Sequence, residues 1–390
     1  MSRVGNLVGT LSVEMMTEQE TLYAISFSFV PRLNLVNRKM LLETMGSFTE
    51  IFEQRQNLKE FIPHANKETL EALALMDTHL KRAEEELAFA KAGHIQCIGY
   101  NDEAYPTRLR ECPDAPTLLY YRGSAPLNGQ HIVSMVGTRQ ITAYGKDLCQ
   151  QFVKELKQLC PDTLIVSGLA YGVDIHCHRA ALEQGMDTIG VLAHGLDQIY
   201  PRFHRDTAVQ MVQHGGLLTE FPSRSTAEKL HFVQRNRIVA GMADATIVVE
   251  SAKKGGSLIT AEISEDYGRD VFAFPGRIGD TYSEGCNLLI KDNRAGLITC
   301  AEDFVKAMGW ETECNLRKQM NEGLQQELFP DLTDEEQRIV RALSGTESKQ
   351  MNILSVETAL PISKLTSLLF GLEMKGIIRL LSGGCYRLAK

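Results

Sequence analysis

Apolar positions recur along this chain in two rhythms. Over the first hundred residues, Leu41, Leu42, Met45, Phe48, Ile51 and Phe52 return at helical spacing around a break at Gly46, which predicts a helix pair joined by a turn. A single charged helix is predicted over 68–91, stopped by Gly93, and Pro106, Pro113 and Pro116 mark a connecting segment. From Ile132 the rhythm changes to short apolar runs at 132–136, 164–166, 188–192, 217–219, 246–249 and 271–274. Amphipathic stretches such as 146–159 and 174–184 separate them. Such alternation predicts a parallel sheet, buried on both faces by helices.

The segment 311–329 is polar and reads as linker. Beyond it, Thr333 stands three residues before Glu336, the capping-box spacing, and opens a helix through Leu343. Helices over 353–358 and 364–375 follow, stopped by Gly376, and then a hairpin of 377–381 and 385–388 around Gly383-Gly384. Three helices and a terminal hairpin make a winged-helix pattern. Its third helix carries Leu365, Leu368, Leu369 and Leu372 with only Lys364 and Lys375 basic, which favours a structural or protein-contact role over DNA reading. The organisation read from the chain is therefore a helical module over 1–100, an α/β domain over 101–310, a linker over 311–331 and a winged-helix-like domain over 332–390.

Composition narrows the class. The 390 residues are 44% hydrophobic and 23% charged, those of a globular protein, and no apolar run of 18 or more residues predicts a membrane span. The first twenty residues lack a secretory pattern. Nine cysteines without C-x-x-C spacing suggest buried thiols in a reducing cytoplasm. A net charge of −8 means that any polyanion site depends on the placement of a few cations rather than on a basic surface.

Glycine turns supply the candidate chemistry. Ile165-Val166-Ser167-Gly168-Leu169-Ala170-Tyr171-Gly172-Val173-Asp174 reads as strand, turn and helix, an arrangement that aims backbone N–H groups and a helix dipole at one anion. It is not the G-x-G-x-x-G of dinucleotide enzymes. Val136-Gly137-Thr138-Arg139 places an arginine after the first sheet strand, His194-Gly195 leads to Tyr200-Pro201-Arg202-Phe203-His204, and Lys253-Lys254-Gly255-Gly256-Ser257 opens another helix. Any one such turn is equally an ordinary strand–helix connection; four at one sheet edge point to anion binding. Arg235 and Arg237, two apart on one helix, point in different directions, one toward a ligand and the other toward an internal acid such as Asp244. Catalytic patterns are missing: Ser167 has no G-x-S-x-G context, no Walker loop occurs, and His176 and His178 fall on different helix faces, so no catalytic residue, metal or cofactor is expected. The sequence reads as a binder.

Read together, the motifs resemble the DNA-processing protein A (DprA, or Smf) family. They are Val136-Gly137-Thr138-Arg139, the 167–174 turn, Gly195-Leu196-Asp197-Gln198-Ile199-Tyr200-Pro201, the run from Phe232 to Gly241, Gly256-Ser257-Leu258-Ile259-Thr260-Ala261 and the run from Gly268 to Gly276, in the family's order over roughly 150 residues. The helix pair around Gly46 resembles a sterile-alpha-motif or helix-hairpin-helix module. The resemblance implies an extended Rossmann-like fold and a cytoplasmic, homodimeric, single-stranded DNA-binding protein of natural transformation and recombination. Such a protein protects incoming DNA and loads the RecA recombinase. Carried over by motif, the DNA-binding residues would be Gly137, Arg139, Ser167, Gly168, Tyr171, Gly172, Arg202, Phe203, Asn236, Arg237, Lys254, Gly256 and Ser257. Arg202 stands where many members have lysine and keeps the charge; Tyr171 replaces a lysine of several members, and either a phosphate contact is lost or the ring stacks on a base. The 285–297 region resembles the family's dimer surface, with Leu288, Leu289 and Ile290 as contacts. The alternative is a nucleotide-processing enzyme resembling the lysine-decarboxylase-like phosphoribohydrolases, whose P-G-G-x-G-T-x-x-E pattern is only partly matched by Gly255-Gly256-Ser257-Leu258-Ile259-Thr260-Ala261-Glu262.

Overall fold

The predicted apolar runs form the centre of one large sheet. The computed structural model describes residues 16–31, 33–62, 65–311, 332–343, 348–375, 377–381 and 385–388, in two compact units that divide near residue 315. In the first unit nine strands pair: β1 (Gln96–Gly99), β2 (Leu118–Gly123), β3 (Ile132–Val136), β4 (Leu164–Ser167), β5 (Thr188–Val191), β6 (Gly215–Thr219), β7 (Ala245–Val248), β8 (Asp270–Ala273) and β9 (Gly296–Leu297). Their order is β1-β2-β6-β5-β4-β3-β7-β8-β9. β3 through β9 run parallel, and β1 and β2 extend the β6 edge antiparallel. Every residue of β3, β4, β5, β6 and β7 is buried, which is why these strands read as mostly apolar runs with only Ser and Thr between the apolar residues and glycines.

The chain winds from β3 outward through β4, β5 and β6, then returns to the other side of β3 as β7. The strand order therefore reverses between β3 and β7, at whose carboxyl ends an open α/β sheet forms its ligand crevice. One face of the sheet carries Phe152, Val153 and Leu156 of helix Ala143–Leu159 with Phe272, Phe274, Phe304 and Trp310. The other shares one continuous apolar cluster with the N-terminal helices, from Ala24, Ile25 and Phe27 through Leu118 and Leu119 to Val248 and Ala261.

Three local expectations are corrected. Residues 68–91 are not one helix: Lys67–Ala74 gives way to a 3-10 turn, Met76–His79, before Leu80–Ala92. The buried Ser26 hydroxyl donates to the Met76 carbonyl at 2.7 Å, tying this turn to the first helix. The proline-marked connection contributes to the core, because Tyr105 and Leu109 are buried and its flanks are the paired β1 and β2. Cys160 is disulfide-bonded, whereas seven other cysteines of the described residues are free thiols. Gly46, with φ +84°, ends the Leu35–Met45 helix as read.

In the second unit, helices Asp334–Leu343, Met351–Thr358 and Ile362–Met374 pack around Ile339, Leu354, Leu365, Leu369 and Leu372 beside the hairpin Ile378–Leu381 and Cys385–Leu388. Glu336 accepts from Thr333 N at 2.8 Å, completing the capping box. The linker (apart from Glu311) and Gly376 and Gly383-Gly384 lie outside the described residues.

Candidate nucleic-acid interface

The crevice at the strand-order reversal is a cavity of about 550 Å³. The segment after β3 supplies Gly137, Thr138 and Arg139, that after β7 supplies Ala252, Gly255, Gly256 and Ser257, and helix Lys229–Gly241 closes the third side. That helix presents Lys229, Phe232, Val233 and Asn236, spaced i, i+3, i+4 and i+7 on one face, and the buried Arg235 reaches the pocket beside Asp174. Arg139 is exposed, and its guanidinium lies 4.9 Å from the centre of the Phe232 ring, over its face. A cation held against an aromatic face keeps its N–H groups available to phosphate oxygens.

The turn between β4 and the next helix is already occupied, and not by a ligand. Gly168 N and Ala170 N donate to Asp174 Oδ2 at 3.1 and 3.4 Å, so the protein's own carboxylate sits where an anion was expected. Burial raises the Asp174 pKa, opposed by Arg235. Arg235 is buried beneath the turn, its Nη1 donating to Val191 O at 2.5 Å. Burial pulls its guanidinium down to about 10, which leaves it charged at neutral pH. Gly168 is glycine for this arginine, since a Cβ there would lie 1.9 Å from Arg235 Nη1. Gly172, with φ +80°, packs against Thr138 O and the Arg139 backbone, where a Cβ would fall 2.0 Å from that oxygen. Ser167 is buried and its hydroxyl donates to Met135 O.

Arg237, expected to touch DNA, is also buried: it pairs with Glu220 and donates to Asp114 O at 2.7 Å. Arg235, although buried, lines the floor of the pocket, whereas Arg237 does not reach it, and Asp244 pairs instead with Arg108 at 2.6 Å. Of the remaining expected residues, Gly137, Arg139, Asn236, Gly256 and Ser257 meet at the pocket. Ser257 is buried and bonds Ser251 Oγ at 2.9 Å, whereas a Cβ on Gly256 would meet nothing within 4 Å. Lys253 and Lys254 are exposed on the turn before Gly256.

Tyr171, Arg202 and Phe203 stand on neighbouring loops. Tyr171 is exposed, its ring edge-on to His204, whose Nδ1 bonds Leu169 O. Phe203 is 85% exposed on the 3-10 turn Arg202–His204, and Tyr200 packs edge-on against Phe232 at 6.0 Å. Lys229, Phe232 and Val233 were missing from the sequence-predicted site, although their helical spacing with Asn236 is legible. Glu262, the acid of the enzymatic alternative, does not line the pocket. No cluster of three metal-ligating side chains occurs among the described residues, and none of their helices is long and apolar enough to cross a membrane.

The proposed dimer residues divide. On helix Glu284–Lys291, Leu289 is buried in the chain's own core, whereas Leu288 and Ile290 are half-buried. On the third helix of the second unit, Ile362, Phe370 and Met374 are exposed and Lys364 is paired with Glu335 at 2.5 Å.

The sequence model of the family described as DNA recombination-mediator protein A matches residues 96–309, and that of the DprA winged helix domain matches residues 326–384. The chain belongs to the DNA recombination-mediator protein A family. The DNA processing protein DprA of Bacillus subtilis is 38% identical over 223 residues, 57% of this chain and 74% of that protein. Protein Smf of Escherichia coli is 31% identical over 320 residues, 80% of this chain and 82% of the relative. The crystal structure of DprA from Streptococcus pneumoniae superposes with a TM-score of 0.61 at 31% identity, covering 75% of this chain and 98% of that one. A Helicobacter pylori structure, described as showing a single-stranded DNA binding mode of DNA processing protein A, gives 0.50 at 29% identity over 55% of this chain and 95% of that one. The DprA family membership thus extends to both units, the Rossmann-like sheet and the winged helix.

Proposed function

We propose that this DprA-family chain binds single-stranded DNA in the pocket at the β3/β7 reversal and that it works as a homodimer which protects incoming strands and delivers them to a RecA-type recombinase in the cytoplasm. The observation that carries the reading is Arg139, an exposed guanidinium held over Phe232 in the pocket, with Tyr171, Tyr200 and Phe203 exposed on neighbouring loops. Phosphates pair with the cation while unstacked bases meet the rings, and a duplex offers no free base faces. The single-stranded DNA mode described for the H. pylori relative agrees with this assignment. Leu288 and Ile290, with Leu297 exposed on edge strand β9, form the proposed dimer surface, and no catalytic step is assigned.

Fluorescence anisotropy of labelled oligothymidylate and of its duplex counterpart tests the reading. Strand-selective binding that collapses in Arg139→Ala supports it; duplex binding of equal strength, or an Arg139→Ala variant that binds like wild type, refutes it. Base release from nucleoside monophosphates would revive the enzymatic alternative. Recombinase delivery is tested by filament growth on oligothymidylate coated with single-strand-binding protein, with and without the chain.

A further inference from the structure

We infer that Glu86, on the N-terminal helix Leu80–Ala92, is a positioning residue of the DNA pocket, acting through the backbone strap over residues 222–225. This inference rests on the single-stranded DNA reading of that pocket. Glu86 lies more than a hundred residues from the pocket helix in sequence and is 1% exposed, unusual for a carboxylate that serves only its own helix. Its two oxygens accept from Ser223, Oε1 from the backbone N–H at 2.8 Å and Oε2 from the hydroxyl. Arg82, one turn earlier, pairs with Glu86 at 2.8 Å and donates to the Ser223 carbonyl at 2.7 Å. Backbone N–H, backbone carbonyl and side chain of one residue are thus held from a single helix.

The strap in turn holds the loop beside the pocket and leads into the helix that lines it. Arg224 N donates to Asp197 Oδ2 at 3.0 Å, and Ser225 O accepts from Gly195 N at 3.2 Å and Gln198 Nε2 at 2.8 Å. These bonds fix the 195–198 loop that continues into Tyr200, Arg202 and Phe203. Gly195 packs so closely on the strap that a Cβ would lie 2.4 Å from Pro222 O. Downstream, the strap runs straight into helix Lys229–Gly241, which carries Phe232 and Asn236. Arg224 has φ +68°, a left-handed conformation that a non-glycine residue keeps only where its surroundings impose it. Glu86 and Arg82 are that imposition, with Glu85 pairing Arg224 Nη1 at 3.0 Å at the surface.

The test measures oligothymidylate affinity for wild type, Glu86→Ala, Glu86→Gln, Ser223→Ala and the Glu86→Ala/Ser223→Ala double variant, at a temperature where circular dichroism shows each folded. Glu86→Ala and Ser223→Ala are each expected to weaken binding about five- to thirtyfold, the range of one or two lost stabilising interactions. Glu86→Gln, which keeps an acceptor for Ser223 N, restores affinity to within about threefold of wild type. The double variant binds no more weakly than the weaker single, because both act through one contact. The iodide quenching of a Tyr200→Trp reporter, at a half-exposed position packed on Phe232, should rise in the Glu86→Ala background. A purely structural role lowers the melting temperature and leaves affinity and quenching unchanged; that result overturns the inference. Arg139→Ala separates the two claims. If it abolishes binding while Glu86→Ala and Ser223→Ala do not weaken it, only the positioning role falls; if wild type fails to hold oligothymidylate, both fall. Should Glu86→Ala not fold, Ser223→Ala, which removes one hydroxyl, carries the test.

Discussion

Gly168→Ala isolates the internal carboxylate from any ligand. The added methyl would stand 1.9 Å from Arg235 Nη1 and 2.3 Å from its Cζ, so the guanidinium must move. A surface arginine would swing aside at small cost, but Arg235 is 4% exposed, is tied to Val191 O, and opposes the burial that raises the Asp174 pKa. Displacing it leaves Asp174 buried without its countercharge. Breaking a buried charge pair costs about 3–5 kcal/mol, and the lower end applies because Asp174 keeps its bonds from Gly168 N and Ala170 N. At about 2–4 °C per kcal/mol, melting should fall by roughly 6–12 °C. Thermal unfolding at pH 7, followed by circular dichroism, measures this directly. A melting point within about 2 °C of wild type would refute the reasoning, since Arg235 would then have an alternative placement at no cost.

Other perturbations separate ligand contact from packing. Gly256→Ala adds a methyl that meets no atom within 4 Å, so stability should be unchanged while oligothymidylate affinity falls if a phosphate approaches that backbone; anisotropy and melting curves together decide. Arg237→Gln leaves Glu220 buried without its partner and should lower stability by about 3–5 kcal/mol in urea titration, with the affinity of the folded protein unchanged. His178 is held neutral: Thr188 Oγ1 donates to Ile165 O and so accepts from His178 Nδ1–H, leaving Nε2 buried without a partner. Burial pulls its pKa down to about 3, against about 6.5 unfolded. The unfolded chain therefore binds the extra proton between these values, and this contribution to stability, present above about pH 6.5, is lost as pH falls toward 3, at up to about 1.4 kcal/mol per pH unit. Urea midpoints from pH 7 to 4 should fall less steeply in His178→Asn.

The central strands were legible because a strand buried on both faces is mostly apolar, and 132–136 needed no revision, its one polar residue, Ser134, bonding Thr246 on the neighbouring strand. The pocket's place was legible too, from glycine turns following those strands. What the turns hold was not. The spacing from Gly168 to Asp174 is the same whether the turn receives a phosphate or its own carboxylate, and only the fold shows Asp174 turned back onto Gly168 N. The roles within the Arg235/Arg237 pair were hidden for a related reason. Both sit on a helix with polar neighbours, and the groups that bury them, Asp174 and Glu220, come from other elements. Leu289 follows the same logic: its neighbours Leu288 and Ile290 are half-exposed, and one residue of rotation on a helix turns a surface leucine into a core one.

Removing Arg237 from the interface, with Arg235 buried in the pocket floor, changes its electrostatics and makes the salt dependence a sharp test. The exposed cations in and around the pocket are then Arg139, Arg202, Lys229, Lys253 and Lys254. A single strand contributes a log–log salt slope of about −0.7 per neutralised phosphate, so one pocket engaging all five would reach no more than about −3.5. Arg139→Ala should flatten the slope by about 0.7, whereas Arg237→Gln should leave it as in wild type. This separates a phosphate contact from a folding contact even where both variants bind more weakly, because a destabilised fold lowers the active fraction without changing how many counterions each binding event releases. A wild-type slope much steeper than about −3.5 would place further basic surface on the strand, and an unchanged slope in Arg139→Ala would take the phosphate away from the residue on which the reading rests.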